Sequence, residues 1–484
     1  MKASSIPLSL DTIARALWAA ALLTLPVTSF RYFPAGEGTY ERPLAFYPLI
    51  PLMVVLLIKL LRDRTVFPRA GTLTPLAVFL LAALIASLLG ILLGPVPMRG
   101  QEAIGRILRA WATIFIGVVF FIAAVWMNRN EDDLRFSIKW LFAGFIIDIL
   151  WSGLQGATFY LHIFPKPLVT HWQRAISLRE LIRTNRISGL AYEPSWLAGQ
   201  ISTLYLPWLF AALLTRMRVT RFKWLEPALL ILAVLLLLAT FSRGGLLTVA
   251  ATVFITFLLV GRTQIRTTWD WFVNGFHHGR EVILRLVVIL LIVGSLSGAL
   301  FILGQKGYIS RLWNTQATTV ENFLIQNSAG ARVAYMWGAM GAYQEHPWVG
   351  VGLGASGFYI YNNLPDWVQT TVPEIARQLS PDNSLYPNPK NLYIRLMAET
   401  GLIGFFLYIA FQFSILGDAL VALKQKSTVW QTLGIASIFT WLALIFYNMT
   451  QDSFAIPNLW INIGILVGMS LFTVNSGNPV EAKS

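Results

Sequence analysis

The sequence has no cysteine. Disulfides, thiolate catalysis and cysteine-held metals are therefore excluded. Histidine is scarce as well. The five (His162, His171, His277, His278, His346) show no ligand spacing of the HExxH kind, so no metal and no cofactor is expected. Charge is thin, at 12% of 484 residues, where soluble domains carry about a quarter. Hydrophobic residues take the place of charge, at 56%, with a mean hydropathy of +0.62.

These apolar residues come in repeated runs of roughly 18 to 25, the length that crosses a bilayer. Hydropathy predicts an all-α polytopic membrane protein of about twelve transmembrane helices. They are placed near 12–30, 43–61, 73–94, 105–127, 134–160, 192–214, 225–241, 243–261, 282–304, 396–423, 429–448 and 455–473. The first run could serve as a secretion signal, but no small-x-small cleavage site follows it, so it reads as a retained helix. The chain then divides into helices one to nine over 1–304, an external loop domain over 305–395, helices ten to twelve over 396–475, and a tail over 476–484.

The formal charge of +14 and pI near 10 would suit nucleic acid in a soluble protein. Here the loops supply a simpler cause, and no nucleic acid is expected. "KLLRDRTVFPR", "TRMRVTRFK" and "KQK" follow the second, sixth and tenth spans, and all three connections share a side. The positive-inside rule makes that side cytoplasmic, with both termini on it. The odd-numbered connections face out, among them two long ones near 161–191 and 305–395. The longer one exceeds what a connection needs and carries helical pieces such as "ARVAYMWGAMGAYQE". There is no internal repeat of the kind inverted-repeat transporters carry.

Several basic residues run against the inside bias. Arg183 and Arg186 precede the sixth span, Arg243 lies in "TFSRGGLLT" between the seventh and eighth, Arg332 opens the long loop's helical piece, and Lys390 precedes the tenth span. A lone arginine at a span end usually snorkels to headgroups, and that reading suits Arg183. Arg243 differs, because Gly244 and Gly245 strip side chains from around it, as expected where a ligand or backbone comes close. A helix starting there would add free N–H groups and partial positive charge, both favourable to an anion. Arginine's planar fork grips phosphate oxygens and stays charged in a dry pocket. "GLGASG", from Gly352 to Gly357, matches a dinucleotide fingerprint only weakly, since that pattern requires a preceding strand in a βαβ unit and this stretch lies on the outer side, where nucleotides are scarce. A tight loop returning to the membrane is the reading adopted for it.

Three stretches, "FSRGGLLTVAA", "HPWVGVGLGASGFY" and "NLYIRLMAETGLIGFFLY", occur in this order and spacing. With them the chain resembles the O-antigen ligase and O-antigen polymerase superfamily of bacterial envelope glycan assembly, and "RISGLAYEPSWLAG" resembles the segment that supplies an upstream arginine. The resemblance covers about 183–260 and 330–410. It implies a GT-C-like, metal-independent glycosyltransferase in the bacterial inner membrane, acting on the periplasmic side on a glycan carried by a polyprenyl diphosphate. Carried over, Arg186 and Arg243 match the arginines thought to bind the donor diphosphate. Arg332 matches a recurrent basic position, and Glu399 and Gly401 match the "AETG" signature. Ligases of this type carry a histidine directly before the Asn-Leu/Glu-Tyr motif; here Lys390 stands there, before Asn391. Lysine is a poor base unless its pKa is strongly depressed, so Lys390 reads as a phosphate contact.

The expected catalytic set is Arg186, Arg243 and Glu193, with Arg332, Lys390, Asn391, Glu399, Gly244 and Gly245 at the substrate. Candidate bases for the acceptor hydroxyl are Glu193, Glu399, Asp382 and His346. A structural ion pair with Arg186 or Arg243 is the alternative for Glu193. Trp348, Tyr359, Tyr361 and Trp367 could stack on sugar rings, although interface anchoring is their commoner role. Three functions follow. A polymerase would join polyprenyl-diphosphate-linked (undecaprenyl-type) repeat units, with a glycan acceptor, the lipid bilayer and a chain-length regulator as partners. A ligase would place finished glycan on lipid A–core. A non-catalytic transporter or flippase would need ionisable groups along a mid-membrane path, where Asp148 stands almost alone. The missing histidine favours the polymerase.

Overall fold

The computed structural model describes residues 9–34, 40–63, 71–179, 186–275, 279–305, 317–327, 329–380 and 385–475. Arg183, Asp382, His277, His278 and the tail at 476–484 lie outside them. About 75% of the chain is helix, and the described residues contain no β-strand. A helix falls at each of the twelve expected spans, from Leu10–Thr24 and Phe46–Asp63 through Leu392–Leu423, Thr428–Tyr447 and Ile461–Asn475. Among the described residues, seven helices are long and apolar enough by length and composition to cross a membrane.

The apolar residues sort by position, and burial divides the helices into an inner and an outer set. Pro194–Thr215 and Thr428–Tyr447 are 83% and 72% buried over their most apolar windows, whereas Arg243–Val260 is only 22% buried. Leu57, Leu61, Leu81, Leu92, Phe115 and Phe254 stand exposed on outward faces. Large exposed apolar surface is unstable in water and is what hydrocarbon covers. Inside, Leu392–Leu423 packs on Thr428–Tyr447 and Leu73–Leu93, and Ile461–Asn475 packs on Ala103–Met127.

Polar contacts gather at the two ends of the bundle. At one end, Arg15 meets Asp133 at 2.7 Å, Lys59 meets Asp11, Thr72 donates to Asp418, and the Glu226 carboxylate accepts from the backbone of Val219 and Thr220. These are the loops and span ends assigned to the cytoplasmic side. At the other end, the connection after the first helix meets Leu178 and Tyr192, and residues 448–458 meet Thr203 of Pro194–Thr215 and the start of Leu392–Leu423.

Two local irregularities shape that second end. Pro194–Thr215 widens into a π-helical turn over Ile201–Tyr205, a form common near functional sites. The widening leaves the carbonyls of Thr203 and Leu204 in need of donors. Asn462 supplies them from Nδ2 at 2.9 and 3.2 Å, while its Oδ1 accepts from Trp208. Leu392–Leu423 breaks at Gly401, whose φ of 61° and ψ of −168° are open to glycine alone. A Cβ there would lie 2.3 Å from the carbonyl of Trp348.

That break is where two of the sequence motifs lock together. Val351 and Gly352 donate their N–H groups to the carbonyls of Ala398 and Glu399, and Leu402 and Ile403 donate to Pro347 and Trp348. The Glu399 carboxylate is 2% exposed and takes Nε of Arg395 at 2.9 Å and the Ser356 hydroxyl at 2.8 Å. The "GLGASG" stretch belongs to no strand. It presses its backbone against helices, so a Cβ on Gly354 would lie 2.6 Å from the carbonyl of Arg106. A second, smaller core built on Ala334, Tyr335, Ala339, Ile360, Val368 and Ile375 holds the loop's helices together above this clasp.

Candidate active site

The segment carrying Arg186 has little regular structure, and buried side chains hold it in place. Gln155 Oε1 accepts from the N–H groups of Ser188 and Gly189 at 3.1 and 3.0 Å, and Asp148 Oδ1 accepts from Leu190 at 2.8 Å. Asp148, the acid that a transport path would need, therefore anchors this segment. Ile187 donates its N–H to the carbonyl of Ala239, and Arg186 donates from Nε to the carbonyl of Thr240 at 2.8 Å. Arg186 is thereby fastened to the turn that carries Arg243.

Arg243 is the first residue of the helix Arg243–Val260. Ser242 caps that helix, its hydroxyl accepting from the N–H of Gly245. The helix terminus anticipated from the sequence thus stands beside Arg243, with its partial positive charge. Two nitrogens of the guanidinium donate to Asn327, to Oδ1 at 2.9 Å and to the carbonyl at 2.5 Å. The two glycines differ. A Cβ on Gly245 would lie 2.5 Å from the Cβ of Ala198, so its bare backbone lets this helix close on Pro194–Thr215. A Cβ on Gly244 would meet only Thr450 Cγ2, at 3.6 Å, which is ordinary contact.

Arg332 is exposed and donates to the carbonyl of Thr450 at 2.8 Å. Through Thr240, Asn327 and Thr450, the three arginines 186, 243 and 332 share one rim. Lys390 sits at a φ of 59°, its N–H held by the Asp452 carboxylate at 2.9 Å. Asn391 caps Leu392–Leu423, its Oδ1 accepting from the N–H groups of Tyr393 and Ile394. Arg395, one turn on, donates to the carbonyl of Asp452 and pairs with Glu399.

Glu193 stands before Pro194–Thr215, its carboxylate engaged on both oxygens. Arg179 donates to Oε2 at 3.1 Å, and the Ser195 hydroxyl donates to Oε1. The sequence reading anticipated an ion pair for this residue, but with Arg186 or Arg243; the partner is Arg179, whose guanidinium also stacks on Tyr192. Among the other candidate bases, Glu399 is buried in the clasp described above. The carbonyl of His346 accepts from the N–H of Gly350 at the end of Gly330–Glu345.

The structure also brings in residues that the sequence reading passed over: Asn327, Arg395, Asp452 and Glu41. Glu41 lies in the connection between the first two helices, facing Lys390, Arg395 and Asp452. Its signal was available, an acid in an outward connection, but nothing local marked it. Among the described residues no cluster of three or more His, Asp or Glu could hold a metal ion.

Residues 228–409 match the family described as O-antigen ligase. The matched region runs from the helix before Arg243 through Arg332 and Lys390 past the Gly401 break, and over it the chain is similar to that family. No curated protein matches the sequence.

Proposed function

We propose, starting from the O-antigen ligase domain that residues 228–409 carry, that this protein is a membrane glycosyltransferase joining lipid-linked oligosaccharide repeat units into a polysaccharide. The observation that carries the reading is the shared rim of Arg186, Arg243 and Arg332, drawn from three distant parts of the chain. The donor is a glycan on a polyprenyl diphosphate. As the acceptor hydroxyl attacks the anomeric carbon, the bond to diphosphate breaks and negative charge gathers on the leaving group. Arg186 and Arg243, with the helix terminus beside Arg243, stabilise that charge where it develops. Arg332 and Lys390 add contacts to the same anion. Arginines supply the positive charge that a divalent cation supplies elsewhere, so the reaction is metal-independent.

The rim belongs to the end of the bundle opposite the loops "KLLRDRTVFPR", "TRMRVTRFK" and "KQK", whose lysines and arginines assign their side to the cytoplasm. This supports chemistry on the periplasmic face of the inner membrane, with both termini inside. The lysine at position 390 favours polymerase over ligase, because a ligase-type histidine is absent there. The test is a reaction of the purified protein with polyprenyl-diphosphate oligosaccharides extracted from membranes of the source cells. A ladder of products from this sole substrate is the expected result. Transfer that appears only when lipid A–core is added would assign the ligase reaction instead, and loss of all transfer with the arginines still intact would overturn the enzyme reading.

A further inference from the structure

A narrow slot opens at the same end of the bundle, lined by Thr28, Glu41, Trp196, Gln200, Tyr447 and Asn458 among others, with room for a water-sized group. Two of its side chains are buried amides whose orientation the surrounding hydrogen bonds determine. Gln200 is 3% exposed, and its Nε2 donates to the carbonyl of Leu25 at 2.9 Å. A carbonyl only accepts, so Nε2 must lie there. Asn458 is 2% exposed, and its Nδ2 donates to the Thr203 hydroxyl at 2.6 Å. That hydroxyl gives its own proton to the carbonyl of Gly199, so it too can only accept. Both amide oxygens, Gln200 Oε1 and Asn458 Oδ1, are buried and have no hydrogen-bond partner among the described residues. An unpaired buried acceptor costs about 1–3 kcal/mol, so two in one slot beside a carboxylate call for a donor, which a bound water or a substrate hydroxyl supplies.

A hydroxyl group donates to these oxygens, whereas a cation would instead be coordinated by them. The surroundings favour the hydroxyl: Lys390 and Arg395 face Glu41, and Arg332 faces Tyr447 on the slot's wall. Together they repel a second cation. The slot also borders the arginine rim: Thr450, whose carbonyl holds Arg332, donates its N–H to the carbonyl of Tyr447, and Gly199 packs directly on the Tyr447 ring.

We infer that this slot is the acceptor subsite, in which Glu41 is the catalytic base for a sugar hydroxyl and the amide oxygens of Gln200 and Asn458 orient the acceptor. The inference rests on the glycosyltransferase reading above. The hydroxyl proton passes to the Glu41 carboxylate and the hydroxyl oxygen forms the new bond to the anomeric carbon. The anomeric bond to diphosphate breaks, and its electron pair leaves with the polyprenyl diphosphate on Arg186 and Arg243. Glu193 cannot serve as well, because a carboxylate held by an arginine is a weaker base. Burial, the largest influence on Glu41, pushes its carboxyl above the usual carboxylate range. Asp452 pushes the same way, while a backbone hydrogen bond, Lys390 and Arg395 pull it down. A base poised nearer neutral pH transfers protons more effectively.

The test separates acceptor activation from donor binding. Polyprenyl diphosphate is titrated onto the full protein in nanodiscs, and transfer is measured with the extracted lipid-linked oligosaccharides. Glu41→Gln is expected to bind polyprenyl diphosphate as the native protein does while its kcat falls by about 100-fold or more. Glu41→Asp retains part of the rate, and Asn458→Leu raises the KM for acceptor more than it lowers kcat. The acid limb of the pH profile lies above the ordinary carboxylate range in the native protein and is absent from Glu41→Gln; Asp452, Lys390, Arg395, Tyr192 and Tyr447 are the titratable groups around it. Native-like transfer by Glu41→Gln, beside an inactive Arg243→Ala, would overturn the slot assignment and leave the enzyme reading standing. A strict requirement of the native protein for sodium or potassium would give the slot to a cation and also overturn it. If the native protein neither binds polyprenyl diphosphate nor transfers, the reading beneath both proposals fails.

Discussion

Arg186 donates from Nε to the carbonyl oxygen of Thr240 at 2.8 Å, three residues before Arg243. With the bond from Ile187 N–H to the carbonyl of Ala239, this hydrogen bond ties the segment before the sixth span to the turn between the seventh and eighth. In the proposed mechanism, charge that develops on the leaving diphosphate meets two arginines already fixed by the fold. Arg186→Ala and Arg243→Ala should each lower kcat by about 100- to 1,000-fold. Lysine at position 186 should recover little, because it cannot bond Thr240 and also present a planar fork to phosphate. Steady-state transfer rates check both, and recovery of most activity by Arg186→Lys would reduce the residue to a simple charge.

Gly244 and Gly245 should separate under substitution. Gly245→Ala drives a Cβ into Ala198 and is expected to destabilise by about 1–3 kcal/mol, seen as a lower Tm in detergent. Combining it with Ala198→Gly should restore much of the loss. Gly244→Ala meets only ordinary contact, so its Tm should barely move. A fall in transfer with unchanged Tm in Gly244→Ala would show that the bare backbone there serves the substrate.

The clasp at the helix break predicts stability effects instead. Glu399→Ala leaves Arg395 buried with its carboxylate partner gone, a change that costs about 3–5 kcal/mol in buried pairs. Replacing both, as Arg395→Met with Glu399→Leu, should recover part of it. Gly401→Ala combines a forbidden backbone angle with a clash on Trp348 and should not accumulate as folded protein. Yield and thermal unfolding measure all three. A folded Glu399→Ala that has lost only transfer would return Glu399 to the substrate.

Chelation gives a fourth check. Transfer by the native protein should be unchanged in excess EDTA, since arginines supply the positive charge at the leaving group. Full loss on chelation, restored by a divalent cation alone, would remove the arginine-only mechanism.

The motifs were legible in the sequence, but their tasks separated only in three dimensions. "AETG" reads as a signature next to the substrate, yet Glu399 is bound into a helix break and Gly401 makes that break possible. "RGG" reads as one feature, yet one glycine serves helix packing and the other has space. Asn391 reads as part of a binding motif and caps a helix. Short-range chemistry at each position is visible in one dimension, whereas the partner across the bundle is not. Asn327 lies 84 residues from Arg243, and the segment that holds Thr450 is 118 residues from Arg332.

By itself the sequence determined that this is a helical membrane protein. Hydrophobic runs of spanning length leave the backbone no alternative in lipid to satisfying its hydrogen bonds within each helix. It also determined where cations interrupt those runs, because charge in an apolar run needs no neighbour to be noticed. The tertiary structure alone decided which cations meet and what Glu41 faces. Convergence of loops at one end of a bundle depends on helix packing, and helix packing is set by many weak contacts that no local pattern records.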